Sequence, residues 1–269
     1  MLFRSINKLM RHRFSWRRLY GLVFSLILCA CSIAPQNPIT PQGELRMGLY
    51  KGTPTSILPA NSVGGESRGI GYELGRDLSS KLGVQYSPVV FEKNADVLAA
   101  VKKGEVDLVF TNASTDRAQY IQFSKTVIQI EKGYLIGPRS KINSPSELNQ
   151  QKVNIGYSMG SNSARELPGL IPNATLVQTT STKQAIELLK SGELDGFSSN
   201  KAILYEMAGS TPGSRVLPVV IGYENLALGT PLNRNGTTEQ LNLFVDEITA
   251  SGKLKTIIER SGIQGLATK

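Results

Sequence analysis

The 269-residue chain has two cysteines, Cys29 and Cys31, one histidine, His12, and one tryptophan, Trp16, and all four fall within the first 31 residues. That stretch reads as a leader, so the exported chain would contain no histidine, no tryptophan and no disulfide. Ser-His and Cys-His catalysis and most zinc sites are thereby excluded, since each needs an imidazole. A P-loop is also missing, because Gly156 to Ser161 lacks the Gly-Lys-Ser/Thr ending. Acidic residues are scarce at the start: Arg4, Lys8, Arg11, Arg13, Arg17 and Arg18 precede residue 31 with no acid among them. Those six of the 30 basic residues leave 24 against 21 acidic ones, so the formal charge of +9 belongs mostly to the leader. What remains has no dense basic run suited to a phosphate backbone, and no nucleic-acid partner is expected.

Long hydrophobic runs are missing too. The apolar stretch from about Leu19 to Leu28 is short of the roughly 20 residues that span a bilayer. It follows a basic segment and ends Leu28-Cys29-Ala30-Cys31, which resembles the lipobox of bacterial lipoproteins. The resemblance implies residues 1–30 as signal peptide, Cys31 as the acylated first residue and a lipid anchor in the cell envelope. An ordinary secretory signal and an uncleaved anchor are the alternatives, and Arg17-Arg18 reads as n-region charge rather than a twin-arginine signal. Residues 31–43, with three prolines and no periodicity, read as a tether.

The remainder, with 40% apolar and 19% charged residues overall, is rich enough to bury a core. Its most informative feature is an internal repeat. Leu45-Arg-Met-Gly48-Leu-Tyr-Lys-Gly52-Thr53 has the shape of Val153-Asn-Ile-Gly156-Tyr-Ser-Met-Gly160-Ser161, a short strand and then Gly-x-x-x-Gly with a hydroxyl residue. A helix from Asp96 to Lys103 ends at Gly104-Glu-Val-Asp107 and a strand, and a helix from Thr182 to Ser191 ends at Gly192-Glu-Leu-Asp195 and a strand. Glycine suits the left-handed position after a last helical turn. Ile70, Leu74, Leu78 and Leu82 predict a helix over 68–82, and two helices are predicted between Thr238 and Ser261. Gly64-Gly65 and Gly69-x-Gly71 read as turn residues before the first helix.

This order of elements, followed by Ser114-Thr-Asp-Arg117-Ala-Gln-Tyr-Ile-Gln-Phe123-Ser124, resembles the family 3 extracellular solute-binding proteins, the polar amino acid receptors of ABC importers. The resemblance covers about Glu44 to Gly262. It implies an α/β fold of the two-lobed, type II periplasmic binding protein kind, each lobe a mixed, mainly parallel sheet flanked by helices. Lobe 1 would be residues 44–131 and 225–269, lobe 2 residues 132–224, and the chain would cross near Glu131 to Tyr134 and Gly222 to Glu224. The implied partners are a small carboxylate-bearing ligand and an ABC permease, with a monomeric protein, no cofactor, no metal and no catalysis.

The resemblance assigns the ligand's carboxylate to Arg117, whose guanidinium offers two parallel donors and keeps its charge when desolvated. A helix-capping surface arginine is the alternative. Asn112 and Ser114 would add donors, although the stretch from Asp107 to Arg117 is about two residues shorter than the family's. Tyr50 and Thr53 would face the ligand from lobe 1. Ser161, Asn162 and Ser163 would do so from a helix start in lobe 2, where free N-H groups favour an anion. Tyr50 and Tyr157 follow strands and read as cleft walls. Asn200 departs from the family, whose receptors typically hold an acid there against the ligand's α-ammonium. The ligand is then either not a standard α-amino acid, or its ammonium meets another acid, Glu224 or Glu92. A lyase acting on cyclic carboxylic acids, with Glu224 as its acid, and a sensory module are the competing readings.

Overall fold

The internal repeat seen in the sequence is a repeat of hydrogen bonding. In the computed structural model, which describes residues 37–60 and 66–267, strand β1 (Glu44–Tyr50) lies parallel to β3 (Leu108–Asn112), with Met47 opposite Leu108 and Gly48 opposite Val109. Strand β6 (Asn154–Ser158) lies parallel to β8 (Gly196–Asn200) in the same register, Ile155 opposite Gly196 and Gly156 opposite Phe197. The aspartate that closes each Gly-Glu-x-Asp performs one task twice. Asp107 N-H donates to the Arg46 carbonyl at 2.8 Å and its carboxylate accepts Arg46 N-H at 3.0 Å. Asp195 treats Asn154 the same way, at 2.9 Å in both directions.

On the far side of each pair runs another parallel strand, β2 (Gln85–Phe91) beside β1 and β7 (Thr175–Thr179) beside β6. Parallel neighbours need crossover connections, and helices supply them. They are α1 (Ile70–Leu82), α2 (Asn94–Lys103), α4 (Ser163–Leu170) and α5 (Thr182–Ser191). Short α3 (Pro145–Leu148) precedes β6, α6 (Lys201–Gly209) follows β8, and α7 (Thr237–Ala250) and α8 (Lys253–Ser261) close the chain. Helix α1 buries Ile70, Leu74 and Leu78, the spacing of four read from the sequence, and Gly83 ends it in the left-handed region.

Two long strands, β5 (Ile128–Ile136) and β10 (Gly222–Pro231), change partners along their length. Residues Ile128 to Lys132 of β5 pair with β10, and Lys132 to Ile136 pair with β8. Residues Gly222 to Leu226 of β10 pair with β5, and Leu226 to Gly229 pair with β3. Because the crossing segments pair with each other, the two expected sheets join into one path, β2-β1-β3-β10-β5-β8-β6-β7. Short β4 (Ile121–Phe123) and β9 (Arg215–Val216) attach to β10 and β5.

Each half of this path is covered on both faces. Leu45, Met47 and Leu49 pack with Leu74, Phe244 and Ile257, while Val109 and Tyr50 pack with Val97 and Val101 of α2. In the other half Tyr134 and Ile136 meet Ile155 and Leu167, and Leu135 between them points the other way, to Leu189 and Phe197. This is the period-two alternation of a strand. Ile39 is fully buried in the first core, its N-H bonded to Asn37 Oδ1 at 2.9 Å and its carbonyl to Arg234 at 3.0 Å. Packed chain therefore begins by Asn37, inside the stretch expected to be tether. The expected signal segment and Cys31 lie outside the described residues. Among the described residues no helix is long and apolar enough to cross a membrane, and no group of three or more His, Cys, Asp or Glu side chains is arranged to hold a metal.

Candidate functional site

Strands β1 and β3 run opposite to β6 and β8, and the C-terminal ends of all four, where parallel strands conventionally present a ligand crevice, meet at one place. There the structure holds a cavity of about 70 Å³. Tyr50, Thr53, Asn112 and Arg117 line it from one half, Ser158, Ser161, Ser199 and Asn200 from the other, and Glu224 and Leu226 from β10.

Arg117 starts a three-residue 3-10 turn, and its side chain is buried, with the residue 6% exposed. Nη1 donates to Thr111 Oγ1 at 2.6 Å and to the Asn112 carbonyl at 3.3 Å, and Nη2 donates across the cavity to the Gly160 carbonyl at 3.0 Å. Among the described residues no carboxylate forms an ion pair with it. Burial pushes the guanidinium below its usual pKa, and the Glu224 carboxylate pulls in the opposite direction. A buried cation answered only by neutral oxygens is costly unless an anion joins it.

Asn112 Oδ1 accepts Asn225 N-H at 3.0 Å, which ties β3 to β10. Asn200 is its counterpart in the second half and is used differently. Its Oδ1 caps α6 by accepting Ile203 N-H at 3.1 Å, and its Nδ2 donates to Glu224 Oε2 at 2.8 Å. Tyr50 reaches the opposite half, accepting Thr182 N-H at 3.1 Å and sharing a hydrogen bond with Thr182 Oγ1 at 2.8 Å. Thr53 is buried and donates to the Tyr50 carbonyl at 3.2 Å. Ser161 Oγ is buried and meets no hydrogen-bond partner among the described residues.

Several expected residues stand elsewhere. Asn162 and Ser163 are buried but off the cavity wall, and Asn162 Oδ1 accepts Arg165 Nη2 at 3.3 Å. Consecutive residues entering a helix rotate by about 100° each, so Ser161 alone of the three can face the cavity. Ser114 is also off the wall, its N-H turned back onto the Asn112 carbonyl at 2.9 Å. Tyr157 lies within β6 and packs on the Tyr134 core instead of forming a wall. Glu92 is exposed, pairs with Lys51 at 2.5 Å and lines a different pocket. Thr55, Ser56, Asn94, Thr111, Ser158 and Ser199 line the cavity without having been read from the sequence. The repeat held a signal for one of them, since Ser158 occupies in the second copy the place of Tyr50 in the first.

Residues 45–262 match the model of the bacterial extracellular solute-binding proteins, family 3. The chain belongs to that family. Among curated relatives, a glutamine-binding protein of Geobacillus stearothermophilus is 25% identical over 48% of this chain, and the match spans about half of the relative's length, 50%. The ABC transporter glutamine-binding protein GlnH of Bacillus subtilis is 19% identical over 74% of each chain. The fold matches solved structures of type II binding proteins. One is an amino acid ABC transporter substrate-binding protein from Streptococcus pneumoniae bound to L-arginine, with TM-score 0.74, 17% identity and coverage of 87% of this chain and 100% of that one. Another is an ancestral amino acid-binding protein described as a precursor of cyclohexadienyl dehydratase, with TM-score 0.71, 20% identity and coverage of 82% and 96%.

Proposed function

We propose that this family member is the lipid-anchored, extracytoplasmic substrate-binding component of an ABC importer. It captures a small polar, carboxylate-bearing solute between lobe 1, residues 44–131 and 225–269, and lobe 2, residues 132–224. The observation that carries this reading is the Arg117 guanidinium, buried on the cavity wall and in no ion pair among the described residues. Its geometry suits the two oxygens of a guest carboxylate. The partner-switching strands β5 and β10 support a hinge, since closure about two crossing strands moves the halves as bodies. The names of the relatives support an amino acid-like solute, and the lipobox-like Cys31 supports an acyl anchor on the outer face of the inner membrane or at another extracytoplasmic surface.

A ligand that binds the native form raises the melting temperature, so a thermal-shift screen of amino acids, organic acids and small oxyanions identifies the ligand class. Arg117→Ala is expected to weaken the hit by about 2 to 4 kcal/mol in calorimetry, the scale of losing a charge-assisted contact. Unchanged affinity defeats the assignment. A dehydratase-like lyase is the second reading, because Glu224 is an acid on the cavity wall. Turnover of a cyclic carboxylic acid that is lost in Glu224→Gln would favour it.

A further inference from the structure

Among the described residues, Arg117 and Glu224 are the only charged side chains on the cavity wall. Asn200 cannot neutralise a cation, yet it positions a group that can. Its Oδ1 is held by Ile203 N-H, which leaves Nδ2 directed at Glu224 Oε2. The acid has in effect moved from the end of β8 to the crossing strand β10. Two cations besides any guest bear on Glu224. Arg117 does so through the cavity, and Lys132 does so from β5. The Lys132 ammonium is engaged with Glu166, beside a separate groove lined by Leu170 and Tyr223, so it leaves the cavity side of Glu224 to a guest.

Size and polarity narrow the guest further. A cavity of about 70 Å³ is small beside the roughly 300 to 1,000 Å³ of most ligand pockets, so it favours a guest of few non-hydrogen atoms. Glycine, alanine and serine are the amino acids of that kind, whereas glutamine and arginine are much larger. Among the described residues no second acid lines the wall to receive a cationic side chain, and the remainder is hydroxyl, amide and apolar surface. A carboxylate guest without an ammonium would put two negative charges, its own and that of Glu224, against the single guanidinium on the cavity wall.

Resting on the reading of the site given above, we propose that the protein selects a short zwitterion with a small uncharged side chain. Arg117 holds its carboxylate and Glu224, oriented by Asn200, holds its primary ammonium. The test is calorimetry on the full-length protein in detergent micelles, titrated with glycine, alanine, serine, glutamine and arginine, and with acetate, propionate and 3-hydroxypropionate as the deaminated counterparts. At least one short amino acid should bind tenfold or more tightly than glutamine, arginine and its own deaminated counterpart. Glu224→Gln should weaken that ligand at least tenfold without weakening the deaminated acid, and the Asn200→Asp/Glu224→Gln double variant should regain affinity. Tighter binding of glutamine or arginine than of every short amino acid, or indifference to Glu224→Gln, overturns this inference and leaves the parent reading standing. A folded wild-type protein that binds none of these solutes overturns both. If Glu224→Gln fails to fold by circular dichroism, the wild-type comparison of each amino acid with its deaminated counterpart decides alone.

Discussion

Asp107 and Arg117 show how much a single buried charge depends on its partners. The Asp107 carboxylate is fully buried and accepts from Arg46 Nε at 2.8 Å, Arg46 Nη2 at 2.7 Å and Arg234 Nη2 at 2.7 Å. Burial opposes its ionisation, but the bonds from Arg46 and Arg234 outweigh it and hold the carboxyl below its usual range. A folded pKa below the unfolded one contributes stability that is complete above the unfolded value, about 3.9, and is lost as pH falls through the folded value. Asp107→Asn leaves two guanidinium groups facing a neutral amide and should cost about 3 to 5 kcal/mol in urea unfolding at neutral pH. The variant's stability should also fall less steeply below about pH 4 than that of the wild type. Asp195 makes the same backbone bonds, and no arginine pairs with it among the described residues, so Asp195→Asn should cost only about 1 kcal/mol. Sequence alone could place Asp107, Asp195 and Arg117, because each stands in a motif. It could not show that, among the described residues, Arg46 is answered by an acid while Arg117 is not, since that distinction depends on contacts between residues 61 and 43 positions apart.

At the scale of elements, the regular features were legible and the composite ones were not. Helix α5 runs over the residues its spacing predicted, and α1, α2, α7 and α8 start within two residues of expectation or inside it, because each has one apolar face and a glycine at its end. Helix α6 carries no such signal. It gives Ala202 to the first core and Leu204 and Met207 to another, and burial on several sides blurs its period. The second glycines of the repeat are equivalent in conformation, Gly52 and Gly160 both having φ of 77°, yet their surroundings differ. A Cβ at Gly52 would meet nothing, whereas at Gly160 it would come within 3.1 Å of Ala95 Cα at the start of α2. Gly52→Ala should therefore cost only the left-handed strain, about 1 to 2 kcal/mol. Gly160→Ala should cost more in a thermal melt and also weaken ligand binding, because the Gly160 carbonyl receives Arg117 Nη2 and Asn94 Nδ2. A Gly160→Ala variant with wild-type affinity would show that this approach of α2 does not matter to the site.

Across the whole molecule the repeat sets up two reciprocal contacts between its halves. Asn94, at the start of α2, donates to the glycine loop after β6 at 3.3 Å, and Thr182, at the start of α5, meets Tyr50 at the end of β1. The Asp116 and Arg165 side chains add an ion pair nearby. On the proposed reading these contacts exist only when the halves are together, so their energy favours the ligand-retaining arrangement and does little for either half alone. The Tyr50 contact is the cleaner one to remove, because the ring packs against Val97 and Val109 whether or not its hydroxyl is present. Tyr50→Phe leaves Thr182 N-H without its acceptor in the first turn of α5, a loss of about 1 kcal/mol, or roughly a fivefold change in a binding constant. Because a contact made only on closure delays opening more than encounter, stopped-flow measurements should show that change mainly as faster ligand release, with a nearly unchanged association rate. The melting temperature without ligand should move little, since neither core loses packing. A variant that releases ligand at the wild-type rate would remove this contact from the closure mechanism, and one that melts much earlier without ligand would reassign it to the stability of the first core.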